Sequence, residues 1–163
     1  MWLVLVFTTA TLSFAAPAVN PAFAPLQQYE GTWQVTRTES GTPAAKPYRL
    51  VNRCVALGIY FACEQTIDNK PTALRVFIPA GSPGRYHTQS ILPEGRATGL
   101  DSLEVAGNRW TFTSRRQEGG NITYFRSTNV FLDKNHIHFE SAQSPDGKQW
   151  TVQISGEQSR VPR

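Results

Sequence analysis

From Gly31 onward the chain alternates apolar and polar residues with a period of two, the repeat of a strand whose successive side chains point to opposite faces. T-W-Q-V-T-R-T sets Trp33 and Val35 against Thr32, Gln34 and Thr36. Similar runs follow in Y-R-L-V-N-R-C-V-A-L, Y-F-A-C-E-Q-T-I, A-L-R-V-F-I, R-Y-H-T-Q-S-I, A-T-G-L-D-S-L-E-V, R-W-T-F-T-S-R, I-T-Y-F-R-S-T-N-V-F, H-I-H-F-E-S-A and Q-W-T-V-Q-I-S. Each is bounded by Gly, Pro, Asn or Asp, and no segment between Gly31 and Ser155 sustains a helical period over three turns. Short connections make successive strands antiparallel neighbours. An open sheet of about ten strands would leave two long unpaired edges, and closure removes both. The pattern therefore predicts an all-β fold, an antiparallel up-and-down β-barrel of about ten strands. Ahead of it, Phe23, Leu26 and Tyr29 recur at every third residue, which predicts a short helical or 3₁₀ turn plugging one end.

The start of the chain breaks this pattern. Residues 1–18, M-W-L-V-L-V-F-T-T-A-T-L-S-F-A-A-P-A, carry an apolar stretch too short to cross a bilayer as a mature helix, followed by small residues. This reads as a signal peptide cleaved after Ala15 or Ala18, although no Lys or Arg precedes the apolar stretch. The organisation is then a signal peptide at 1–18, a plug segment at 19–30 and a barrel domain at 31–163. The expected location is secreted or periplasmic.

Export places Cys54 and Cys63 in an oxidising compartment. Gly58-Ile59 between two runs suits a two-residue type II′ hairpin turn with Gly first. Leu57 then faces Tyr60, Ala56 faces Phe61 and Cys54 faces Cys63. Counting outward places the cysteines at a non-hydrogen-bonded pair, with Cα atoms about 4.5 Å apart, and predicts a disulfide.

Composition adds little to this architecture. The 163 residues suffice for one domain, and with 40% apolar and 17% charged residues the chain is globular. A net charge of +4 permits contact with an anionic envelope surface, but is also ordinary for a soluble protein. Basic residues interleaved with aromatics, such as Arg53 and Tyr60, are a weak nucleic-acid signal. Export argues against that partner, and none is predicted.

Gly31-Thr32-Trp33, on a first strand preceded by one apolar turn, resembles the lipocalin and wider calycin pattern. The opening L-x-x-Y-E-G-T-W, the later S-P-D-G-K-x-W and a terminal Arg resemble uncharacterised lipocalin-like proteins of bacterial secretomes. The resemblance implies that Trp33 closes one end of the barrel with an Arg lying across its ring, and Arg160 in E-Q-S-R is the matching candidate. A lipocalin-type T-D-Y motif and a C-terminal helix are both missing from the sequence.

Candidate chemistry is sparse. His136-x-His138-x-Glu140 places three potential metal ligands on one strand face, but Ile137 and Phe139 opposite are the residues that belong inside. The histidines read as the polar half of an ordinary strand, and no metal site is predicted. His87 is a solvated position rather than a haem ligand, and no cofactor is expected. No nucleophile elbow, metalloprotease helix or phosphate loop occurs, and the carboxylates fall singly on different strands, so no catalytic residue is predicted. What remains is the interior. Trp33, Val35, Leu74, Val76, Trp110, Phe112, Ile137, Phe139 and Trp150 fall on the more apolar side of their strands. With Arg160 closing the base, they form the expected lining of a site for one small apolar or amphipathic molecule. The alternative is a filled barrel acting as an interaction module, with its basic surface on a cell-envelope partner.

Overall fold

The computed structural model describes residues 20–42 and 45–162. The leader reading at 1–18 and the terminal Arg163 lie outside the described residues.

Ten strands close into one antiparallel barrel in which each pairs with its neighbours in sequence and the first pairs with the last. They are β1 (Gly31–Glu39), β2 (Tyr48–Leu57), β3 (Tyr60–Ile67), β4 (Lys70–Pro79), β5 (Arg85–Ile91), β6 (Asp101–Ala106), β7 (Arg109–Glu118), β8 (Asn121–Phe131), β9 (His136–Ser144) and β10 (Thr151–Arg160). Turn chemistry explains the corners. Gly58 takes φ 60° in the two-residue β2–β3 turn, as a type II′ turn requires. Asp68 and Asn69 both take positive φ, the requirement of a type I′ turn.

The up-and-down path gives the barrel two unlike ends. The chain enters β1 at the end that also holds the β2–β3 turn, and two 3₁₀ turns, Pro21–Phe23 and Pro25–Tyr29, fill that end. Phe23, Leu26 and Tyr29 are all buried, packing with Trp33, Val35, Phe61, Phe77, Tyr86, Leu103, Trp110, Phe131 and Ile137. Polar bonds fix the plug in place. Tyr86 Oη donates to Ala22 O at 2.5 Å, while Trp33 Nε1 and Asn52 Nδ2 both donate to Tyr29 O.

The clasp at this closed end joins four segments. Arg160 pairs with Trp33 across the β1–β10 seam, and its guanidinium carbon sits 4.1 Å from the indole ring centroid. Its nitrogens donate to Glu30 O (2.6 Å), Gln28 O (2.9 Å) and Lys134 O (2.9 Å). Gly31 is required beside it: φ is 129°, and an added Cβ would strike the Arg160 guanidinium. This is why glycine stands two residues before the tryptophan.

Cys54 and Cys63 are paired across β2–β3 and joined in a disulfide, with Cα atoms 4.0 Å apart. The cross-linked loop is short, so its effect on the unfolded chain is about 2.5–3 kcal/mol.

Two expected lining regions face outward. On β4, A-L-R-V-F-I offers apolar residues on both faces, and the alternation assigns Leu74 and Val76 to the inner one. The register is set instead by Phe77, which pairs with Phe61 and meets the Tyr29 ring beneath the plug. Phe77 and Arg75 therefore point in, and Leu74 and Val76 point out, where Leu74 is 40% exposed beside Ile91. On β10, a bulge between Val152 and Ile154 reverses the phase of the strand start. Ile154, Gly156 and Gln158 face inward, while Val152 is exposed and Trp150 stacks on the outward-facing Arg126 at 4.3 Å. β10 also runs on to Arg160, beyond the Ser155 expected from the apolar run.

Replacing Arg160 by Met removes three charge-assisted hydrogen bonds and the ring contact while preserving most of the stem. Bonds of this kind contribute about 1.5–3 kcal/mol each when well shielded, and this guanidinium is only partly shielded. We expect a net loss of about 2–4 kcal/mol by urea unfolding, with Gly31→Ala losing stability by displacing the same group. A loss below about 0.5 kcal/mol for Arg160→Met, the level of an exposed ion pair, would contradict this role.

Candidate functional site

Along each strand the inward-facing residues change character from the closed end to the open end. On β8 the inner series Phe131, Asn129, Ser127, Phe125 passes from aromatic through polar to aromatic. On β9 it reads Ile137, Phe139, Ser141, and on β4 it reads Phe77 then Arg75. The polar parts of these series meet above the Tyr29 floor and enclose a chamber of about 340 Å³. That lies at the small end of ligand pockets, about 300–1,000 Å³. Its walls include Tyr29, Tyr48, Gln65, Arg75, Thr88, Ser90, Asp101, Phe112, Ser114, Phe125, Ser127, Asn129, Ser141 and Gln158.

Part of this lining is internally satisfied. Gln65 Nε2 donates to Asn52 Oδ1 and Tyr29 Oη, and the Ser127 and Ser141 hydroxyls share a hydrogen bond of 2.9 Å. Arg75 Nε donates to Ser90 Oγ at 3.3 Å, and its guanidinium lies 5.4 Å from the Phe112 ring centroid. Among the described residues, two buried side-chain atoms have no protein partner. Thr88 Oγ1 and Gln158 Oε1 are both buried and both belong to chamber residues. Leaving such a group without any partner costs about 1–3 kcal/mol, so water or a bound molecule is required to complete them.

Two other arginines stack on chamber rings: Arg37 lies 6.0 Å from the Tyr48 centroid and Arg116 5.0 Å from that of Phe125. Arg37 is paired with Glu39 at 3.1 Å. Among the described residues, Asp101 is the one carboxylate in the lining. Burial pushes its pKa up, against the opposing pull of Arg75 and Arg116. Burial likewise raises the Tyr48 phenol, with Arg37 acting in the other direction.

The predicted lining residues separate into three groups. Phe112 lines the chamber. Trp33, Val35, Trp110 and Ile137 are fully buried in the closed-end core, and Phe139 packs against that core and over Gly156, where a Cβ would strike its ring. Leu74, Val76 and Trp150 are outside. Arg160 does not reach the chamber; it borders an outer groove of about 760 Å³ with Arg49, Val51 and Arg53. Sequence reasoning missed Arg75, Asp101, Thr88 and Gln158 because it sought the apolar face of each run.

The histidine strand faces out. His136 Nδ1 bonds Asp133 at 2.8 Å, and His138 lies between Glu157 (2.7 Å) and Glu140 (3.6 Å). The hydrogen bond to Glu157, more than any other cause, raises the His138 pKa. Among the described residues, no group of three or more His, Cys, Asp or Glu side chains is disposed to hold a metal ion. His87 pairs with Ile78 and Ser102 on the outer face and is exposed.

No family model matches the chain, and no curated protein matches it. Solved structures do. Rv2717c from M. tuberculosis superposes with a TM-score of 0.54 at 13% identity, covering 89% of this chain and 100% of that one. The S-type phycobiliprotein lyase CPES from Guillardia theta superposes with a TM-score of 0.53 at 10% identity, covering 84% of this chain and 90% of that one. At this identity the likeness is one of fold alone, a closed antiparallel β-barrel.

Asp101 offers a check on the chamber's electrostatics. Its pKa is higher in the fold than the ordinary 3.8, so the folded state holds its proton more tightly and the charged form opposes folding. The penalty is fully present at neutral pH and fades as pH falls through the raised value toward 3.8. We expect Asp101→Asn to raise the melting temperature at pH 7, with the gain shrinking as pH falls toward 3.8 and gone well below it. A lower melting temperature for the variant at pH 7 would show that the carboxylate is instead held in a stabilising pair with Arg75.

Proposed function

We propose that this protein is an exported binding protein that holds one small amphipathic molecule inside its barrel. The observation that carries the reading is the chamber above Tyr29, where unpartnered polar atoms of Thr88 and Gln158 share the wall with the Phe112 and Phe125 rings. A molecule with an apolar body and polar substituents matches both features; a purely apolar one would leave the buried polar atoms unmet. The lining therefore favours the amphipathic member of the class predicted from sequence. The lyase among the structural neighbours is named for work on a phycobiliprotein, and its fold is compatible with a small-molecule role here.

The leader composition and the disulfide support secretion or periplasmic residence in this reading. Among the described residues no helix is long and apolar enough to cross a membrane. We assign no catalytic step. The filled-barrel alternative has one observation in its favour: Val55, Leu57, Ile59 and Tyr60 make an exposed apolar hairpin tip at the closed end, with Arg49 and Arg53 on the same outer strand face.

N-phenyl-1-naphthylamine, an uncharged amphiphile whose fluorescence rises on leaving water, is a suitable probe. We expect saturable one-to-one enhancement with the native protein. Ser127→Trp, which projects a large side chain into the chamber from mid-barrel, should reduce it at least tenfold while the far-ultraviolet spectrum is unchanged. Equal enhancement in the two proteins would place binding on the outer surface and favour the interaction module.

A further inference from the structure

The chamber's charge has a sign, and it is set by Arg75. This side chain points inward from mid-strand β4, across from Cys63 on one neighbour and Ser90 on the other. Its hydrogen bond to Ser90 uses Nε alone, its plane lies against Phe112, and among the described residues no carboxylate comes within 4 Å of its nitrogens. Among those residues the two terminal nitrogens thus present a donor fork with no acceptor. Thr88, whose hydroxyl also lacks a partner, projects from the adjoining strand on the same wall. Gln158, with its unpartnered carbonyl oxygen, belongs to β10, four strands away around the barrel and so on the other side of the chamber.

Resting on the amphipathic-ligand reading, we infer that the occupant is an organic anion, its carboxylate, sulfonate or phosphate group seated on Arg75 and Thr88 and its apolar body lying between Phe112 and Phe125. A guanidinium remains charged in a partly buried wall and matches an oxyanion with two parallel N–H donors. Arg116, stacked on Phe125 toward the open end, adds a second positive charge along the path inward. Asp101 is the single opposing carboxylate of the lining, and its burial favours the neutral form. A cationic guest would face the guanidinia of Arg75 and Arg116, set against one carboxylate whose pKa burial raises. The Gln158 oxygen accepts a hydrogen bond, so the opposite edge of the guest carries an N–H or O–H donor.

The test compares two probes that differ in one group: 1-anilinonaphthalene-8-sulfonate and N-phenyl-1-naphthylamine, the same ring system and bridging N–H with and without the sulfonate. At pH 7.5 and moderate salt, fluorescence titration should give the sulfonate a Kd at least tenfold lower. Arg75→Gln should weaken the sulfonate far more than the uncharged probe and so remove that preference, and Arg75→Lys, which keeps the charge, should retain part of it. Ser127→Trp should weaken both probes, which separates chamber binding from adsorption on the basic exterior. If the native protein binds the uncharged probe as tightly as the sulfonate, or if Arg75→Gln leaves the preference intact, the anion assignment is overturned and the amphiphile reading survives. If neither probe binds, both fall. Should Arg75→Gln fail to fold, the native ratio and the Arg75→Lys ratio decide: equal affinities for the two probes in both proteins overturn the assignment.

Discussion

The contact on which the rest depends is the seat of Arg160 on Trp33. A ten-stranded meander has its first and last edges far apart in sequence, and their pairing is the contact of longest sequence separation in the fold. Arg160 reinforces it with a ring contact and bonds to carbonyls at Gln28, Glu30 and Lys134. One side chain thereby ties together the plug, the first strand, the β8–β9 connection and the last strand. Gly31 lacks a side chain because the guanidinium occupies that space. With the closed end fixed this way, large residues fill it completely, and the cavity is displaced toward the open end.

That displacement separates stability from recognition. The closed end holds the aromatic core, including Trp33, Trp110, Phe61 and Phe77, and behaves as an ordinary protein interior. Beyond Tyr29, inward positions become Ser, Thr, Asn, Gln and Arg, interrupted by Phe112 and Phe125. A barrel interior that is polar in mid-length is costly unless its groups are paired or solvated. Several are paired, through Gln65 with Tyr29 and through Ser127 with Ser141. Thr88 and Gln158, whose buried polar atoms have no partner among the described residues, mark the space where something other than protein supplies contacts.

Much of this was legible in the sequence. The period-two alternation carried the strand count and closure, Gly58 carried the hairpin register, and that register carried the Cys54–Cys63 pair. The triplet Gly31-Thr32-Trp33, through its family resemblance, carried the Arg160 clasp. The chamber was less legible for a specific reason. Seeking the more apolar face of every run works at the closed end, where Trp33, Trp110 and Ile137 were correctly turned inward, and fails where the interior is itself polar. On β4 that rule chose Leu74 and Val76 over Arg75. On β10 it carried Trp150 inward because a bulge leaves no mark in the alternation. A signal was nevertheless present in F-R-S-T-N-V-F: Phe125, Ser127, Asn129 and Phe131 share parity, so if Phe131 points in, Ser127 and Asn129 must also.

The central claim is that a small amphiphile occupies the mid-barrel chamber rather than the apolar outer surface. Intermolecular nuclear Overhauser effects from bound N-phenyl-1-naphthylamine to assigned aromatic side chains test it most directly. The account predicts contacts to Phe112, Phe125 and Tyr48, with none to Leu57 or Ile59 at the hairpin tip. Contacts confined to that tip, or to the outward-facing Leu74 and Ile91, would contradict it.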